Sequence, residues 1–133
     1  MHKLTLRVVV VEDYDDTREA LVEILEMMGY AVAASARTGR EGCAAMLQHR
    51  PHAAVIDLGL PDMDGCDVAR RIRRVTNDIA LVALTGYGQE NDRQRALAAG
   101  FDAYMLKPSD CDALDRQIRT LTEPIRTTVS RLH

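Results

Sequence analysis

The chain has 133 residues, 47% hydrophobic and 28% charged, with 17 basic against 20 acidic residues for a formal charge of −3. At roughly 100–200 residues per domain this length describes one domain with one core, and the composition excludes disordered, collagen-like and disulfide-stapled chains. The slight acid excess removes any whole-domain basic footprint for nucleic acid or an anionic membrane.

The start, Met1-His2-Lys3-Leu4, has no signal-peptide apolar region, and no stretch of about 20 apolar residues follows it. The expectation is a cytoplasmic protein. The first clear element is Leu6–Val11, too short for a helix and rich in β-branched residues. Its lack of alternation predicts burial on both faces, as in a parallel sheet covered by helices. Asp16 and Glu19 have capping-box spacing ahead of the stripe Ala20, Leu21, Ile24, Leu25 and Met28, which Gly29 stops. Ala31–Ser35 is the second strand, and Thr38 with Glu41 repeats the capping box before the second helix. The third strand is Ala53–Asp57. Asp64 opens a helix over Cys66–Arg74, Ile79–Leu84 is the fourth strand, and Gln89–Ala99 is a helix ended by Gly100. Ala103–Leu106 is the last strand, and Ser109 caps a helix with the stripe Cys111, Leu114, Ile118 and Leu121. Pro124 breaks that helix, dividing the chain into a domain over residues 1–121 and a tail over 122–133.

Strict strand-helix alternation with short connections implies right-handed crossovers and a parallel sheet with helices on both faces. The predicted fold is α/β, a flavodoxin-like (βα)5 doubly wound five-stranded sheet in the order 2-1-3-4-5. Ligands then sit beyond the carboxyl ends of strands one and three.

Those ends are polar. Strand one ends in Glu12-Asp13, strand three in Asp57, strand four in Thr85 and strand five in Lys107, one of only two lysines in the chain. Three carboxylates converging there cannot all stay ionised without a partner. Oxygen ligands with no nearby histidine or cysteine select a hard divalent ion, and an incomplete shell favours Mg²⁺ over Ca²⁺. A carboxylate beside Mg²⁺ can act as a nucleophile on phosphorus, with Lys107 and the Thr85 hydroxyl stabilising the transferred group.

Four segments in order, Val11-Glu12-Asp13, Val55 through Gly65, Ala83-Leu84-Thr85-Gly86 and Lys107-Pro108, closely resemble the receiver domain of two-component response regulators. The match runs from about Leu4 to Leu121. The resemblance implies that Asp57 is the phosphoacceptor and that Glu12 and Asp13, with Asp57 and the Gly59 carbonyl, hold Mg²⁺. It implies that Lys107 pairs with the phosphoryl group, that Thr85 and Tyr104 form a switch pair remodelling the α4–β5–α5 face, and that the Lys107-Pro108 bond is cis. The implied partners are a sensor histidine kinase or histidine phosphotransfer protein as donor, a downstream output protein or domain, and a second copy of the chain. No direct nucleic-acid or membrane partner is expected.

Gly59 and Gly86 depart from the commonest receiver pattern and leave the phosphate pocket open on one side, while Tyr87 is placed to screen the attacking water. The Thr85–Gln89 stretch is similar to receivers attached to hybrid histidine kinases, so a stand-alone receiver and one excised from a larger protein both remain open. Rival readings are a Mg²⁺-dependent aspartyl-phosphate phosphohydrolase, a pseudo-receiver acting by contact alone, and a flavodoxin. The first wants a second acid two residues after its nucleophile, where this chain has Gly59. The second is disfavoured by retention of the five polar residues, the third by the lack of a phosphate loop. Arg70, Arg71, Arg73 and Arg74 read as a solvated helix face. Cys43, Cys66 and Cys111 read as packing thiols, since their spacing fits neither a disulfide framework nor a zinc site.

Overall fold

The computed structural model describes residues 5–86, 90–107 and 111–123. Five strands alternate with five helices: β1 Arg7–Val11, α1 Asp15–Met27, β2 Ala31–Ala36, α2 Gly39–His49, β3 Ala53–Asp57, α3 Gly65–Val75, β4 Ala80–Thr85, α4 Glu90–Ala99, β5 Ala103–Leu106 and α5 Cys111–Leu121. The strands are all parallel in the order β2-β1-β3-β4-β5, as expected. Between β1 and β2 the register slips by one residue, Val8 pairing with Val32 and Val9 with Ala34.

The central strands β3 and β4 are buried throughout, which accounts for their unbroken apolar sequences, while the edge strands β2 and β5 are only partly covered. Strand pleating divides the core in two. Val9, Val11, Ala54, Ile56, Leu81 and Ala83 point to α2, α3 and α4, where Met46, Val68, Ile72 and Ala96 meet them. Val8, Val10, Val55 and Val82 point the other way, to Leu21 and Leu25 of α1 and Leu114 and Ile118 of α5. Burying each such side chain contributes about 1.5–3 kcal/mol. At Gly42 the helix α2 lies directly on β1, where an added Cβ would stand 2.6 Å from a Val11 methyl.

Among the described residues the expected helix ends are found with one exception. Gly29 and Gly100 take positive φ at the ends of α1 and α4. Thr38 caps α2, its hydroxyl accepting from the Glu41 amide at 3.1 Å, and Asp64 caps α3, accepting from the Cys66 amide at 2.8 Å. The Asp16–Glu19 capping box does not form: α1 begins at Asp15 behind Tyr14, which supplies no side-chain cap. Asp15 and Asp16 lie in the first turn instead, where negative charge is favourable to the helix dipole. Ser109, Pro108, Tyr87, Gln89 and the tail from Pro124 lie outside the described residues. Among the described residues no helix is long and apolar enough to cross a membrane.

Candidate phosphoacceptor site

Parallel strands end together, so side chains one residue past β1 and at the last residue of β3 become neighbours. An oxygen from each of Glu12, Asp13 and Asp57 lies within 4.8 Å of the others. Glu12 and Asp57 are buried, at 2% and 8% exposure, and Asp13 is the most open of the three. Lys107, one residue past β5, reaches back to them. Its ammonium group contacts Glu12 Oε1 and stands 3.2 Å from Asp57 Oδ1.

Burial raises the Glu12 carboxyl above the ordinary glutamate value and the Asp57 carboxylate adds to this, against the pull of Lys107. Burial draws the Lys107 ammonium down, but its contacts with Glu12 and Asp57 outweigh that and hold it above its usual value. Three acids share one lysine, and like charges this close favour a further cation. The donors fit a hard divalent ion, being carboxylate oxygens with an open side at Asp13.

The other expected site residues lie around this centre. Gly59 donates its amide to Asp57 Oδ1 at 3.3 Å, and a Cβ there would meet only Asp57 Oδ2, at 3.9 Å. A Cβ at Gly86 would meet nothing within 4 Å, so both glycines leave space. Thr85 is buried at the end of β4, where its carbonyl accepts from the Lys107 amide at 2.7 Å. Thr85 and Gly59 line a cavity of about 170 Å³ with Leu58, Asp64, Cys66 and Arg95. Tyr104 is not at this edge; it pairs with Ala83 in the sheet and lies half-buried against the core on the α2–α4 side. Cys66, at 2% exposure, is packed beneath the cavity, and burial pushes its thiol up to about 11.

Three features of the surroundings fix the loop between β3 and α3. Gly65 follows the loop after β3 with no space for a side chain: a Cβ would stand 2.8 Å from both the Asp57 carbonyl oxygen and Leu58 Cα. Arg95 of α4 pairs with Asp64 at 2.9 Å, tying that helix to the loop. Asp62 accepts from the amides of Gly39 at 2.7 Å and Arg40 at 3.0 Å, and the Gly39 bond holds its carboxyl below the usual range. Arg95 and Asp64 lie 31 residues apart and Asp62 and Gly39 lie 23 apart, each pair on different elements, so no spacing rule reveals them.

Acidic groups and a lysine gathered at the carboxyl edge of a doubly wound sheet fit a class of signalling domain, and comparison with known proteins gives that class. Residues 8–119 match the response regulator receiver domain family, and the chain belongs to it. It is 34% identical over 118 residues to the response regulator MprA of Mycolicibacterium vanbaalenii, covering 89% of this chain and 51% of that protein. It is 37% identical over 111 residues to the transcriptional regulatory protein AfsQ1 of Streptomyces coelicolor, covering 84% of this chain and 48% of that protein. The chain thus spans about half the length of these relatives. Among solved structures, a CheY-like receiver domain protein from Methanospirillum hungatei is similar at TM-score 0.84 and 28% identity, covering 91% of this chain and 96% of that one. The receiver domain of NarL from Mycobacterium tuberculosis shares the fold at TM-score 0.86 and 24% identity, covering 91% of this chain and 98% of that one.

Proposed function

We propose that Asp57 is the phosphoacceptor of this receiver domain, taking its phosphoryl group from a phosphohistidine. The observation that carries this reading is the buried Asp57 carboxylate held between Lys107 on one side and Glu12 and Asp13 on the other. An Asp57 carboxylate oxygen attacks phosphorus, the N–P bond of the donor breaks, and the departing imidazole takes up a proton. The product is an aspartyl phosphate, later hydrolysed, with no turnover of an external metabolite. Glu12, Asp13, Asp57 and the Gly59 carbonyl would hold Mg²⁺, which supplies charge neutralisation on the transferring phosphoryl oxygens. Lys107 offers a positive charge to those same oxygens, and Thr85 a hydroxyl.

The donor is a sensor histidine kinase or a histidine phosphotransfer protein. An apolar groove of about 420 Å³ between α1 and α5 ends at Lys107 and supports this assignment, since it offers a donor helix an apolar seat beside the acceptor. Phosphorylation shifts the population between two packings of α4, β5 and α5, with Thr85 moving toward the phosphoryl group and Tyr104 turning inward. Leu97 and Leu106, at 40% and 51% exposure, lie on that face, which passes the state to an output domain, an output protein or a second copy. A phosphohydrolase reading lacks its general acid, because Gly59 stands where that carboxylate belongs.

Intact mass after incubation with Mg²⁺ and acetyl phosphate tests the reading. The parent gains one phosphoryl group, and Asp57→Ala gains none. Equal gain in both proteins would place the acceptor elsewhere.

A further inference from the structure

The loop leaving β3 has to present two things at once, the Asp57 carboxylate and the backbone of Gly59. It closes on itself, since Gly59 and Asp64 pair as an antiparallel bridge and the Gly65 amide donates to the Leu58 carbonyl at 3.0 Å. The Gly59 amide donates to Asp57, so the path of the loop and the orientation of the carboxylate are set together. Part of what fixes the far side of the loop comes from 23 residues earlier in the chain.

A helix begins with four amides that have no partner inside it. In α2, the Gly42 amide makes the first bond inside the helix, to the Thr38 carbonyl, and the Glu41 amide before it goes to the Thr38 hydroxyl. Two more of the unpartnered amides, Gly39 and Arg40, go to the carboxylate of Asp62. The start of α2 is thus capped from two sources, one local and one brought in by the acceptor loop. Met63, the next residue, lies against the same turn, where a Cβ on Gly39 would stand 2.5 Å from Met63 Cγ. The Met63 side chain packs directly on the bare backbone of Gly39.

We infer that Asp62 is a positioning residue for the acceptor site: it moors the Gly59–Asp64 loop to α2, so that Gly59 and Asp57 are held in place before a cation or phosphoryl donor arrives. This rests on the function proposed above. A loop already ordered loses less conformational entropy when it binds, and groups that orient ligands from behind typically change metal affinity by about 10- to 100-fold.

A purely structural cap would behave differently, and Thr38 provides the control because it caps the same helix without touching the loop. The test is calorimetric titration of Mg²⁺ into the full chain, together with amide hydrogen exchange at Gly65 in the metal-free protein. Asp62→Ala is expected to raise the Mg²⁺ dissociation constant by about tenfold and to speed Gly65 exchange. Thr38→Ala is expected to lower the melting temperature while leaving Mg²⁺ affinity and Gly65 exchange as in the parent. Asp62→Asn keeps one acceptor oxygen in place and is expected to fall between Asp62→Ala and the parent, which also provides a reading if the alanine variant does not fold. Parent-like Mg²⁺ affinity in the Asp62 variants, or equal weakening by Thr38→Ala, overturns the inference. A parent that binds no Mg²⁺ overturns the proposed function itself and this inference with it.

Discussion

The two ends of the sheet use charge in opposite ways. At the amino ends of the strands, Arg73 donates to the Gly100 carbonyl at 2.9 Å, the Ile79 carbonyl at 2.8 Å and Asp102 at 2.8 Å, while Asp102 also accepts from the Leu81 amide. Arg7 likewise donates to the carbonyls of His49 and Arg50, and its amide donates to His52 Nδ1 at 2.9 Å. Arg7, Arg73 and Asp102 there each meet neutral or opposite partners. At the carboxyl ends, three acids meet one lysine. One end closes the fold, and the other retains an excess of negative charge that calls for a cation. A satisfied polar network contributes rigidity, whereas an unbalanced one provides chemistry.

Removing the cation at each end should sharpen this contrast. The largest effect is expected for Lys107→Gln, which takes the positive charge from the acceptor. Phosphorylation by acetyl phosphate should slow by about 100-fold, as when a single charge-stabilising donor is lost, while the protein remains folded by circular dichroism. Unaltered kinetics would remove Lys107 from the reaction. Arg73→Ala should do the reverse. It leaves two carbonyls and a carboxylate short of a donor, and urea unfolding should show a loss of about 2–3 kcal/mol, with the folded fraction still taking up phosphate at the parent rate. Arg73 is therefore not part of a solvated basic face, although Arg70, Arg71 and Arg74 beside it are exposed.

The smallest effect concerns pH. Burial, aided by nearby Arg7, holds His52 below the ordinary imidazole value. The proton is bound more readily in the unfolded chain, so the contribution of His52 to stability is complete above about pH 6.5 and declines as pH falls below it. His52→Gln should flatten the stability profile between about pH 5 and 6.5 in urea melts. A profile unchanged by the substitution would show that the slope comes from other groups.

The fold was legible in the sequence because its strands are short, unbroken and apolar, and because Thr38, Asp64, Gly29 and Gly100 punctuate the helices through local bonds. The start of α1 was misread, since the residues that form a capping box on paper are already inside the helix. Glu12, Asp13, Asp57, Thr85 and Lys107 were legible because each stands at or just past a strand end, and the strand order alone brings those ends together. Asp62, Arg73, Arg95 and His52 were not. Each acts through partners on another element, and their neighbours in sequence carry no mark of it. His52 follows a buried Pro51, and its imidazole accepts a backbone bond from β1.

Gly39 and Gly42 stand one turn apart on α2, the first against Met63 and the second against Val11. Together they act as a spacer of zero thickness between that helix, the first strand and the acceptor loop. Sequence drift is most confined at Gly42, where a methyl group meets the stiff, branched Val11 and would lever α2 outward, whereas at Gly39 it meets the more flexible Met63 side chain. A mutational scan that selects for signalling should find Gly42 among the least replaceable residues in the chain and Gly39 the more forgiving of the two, although neither comes near phosphorus.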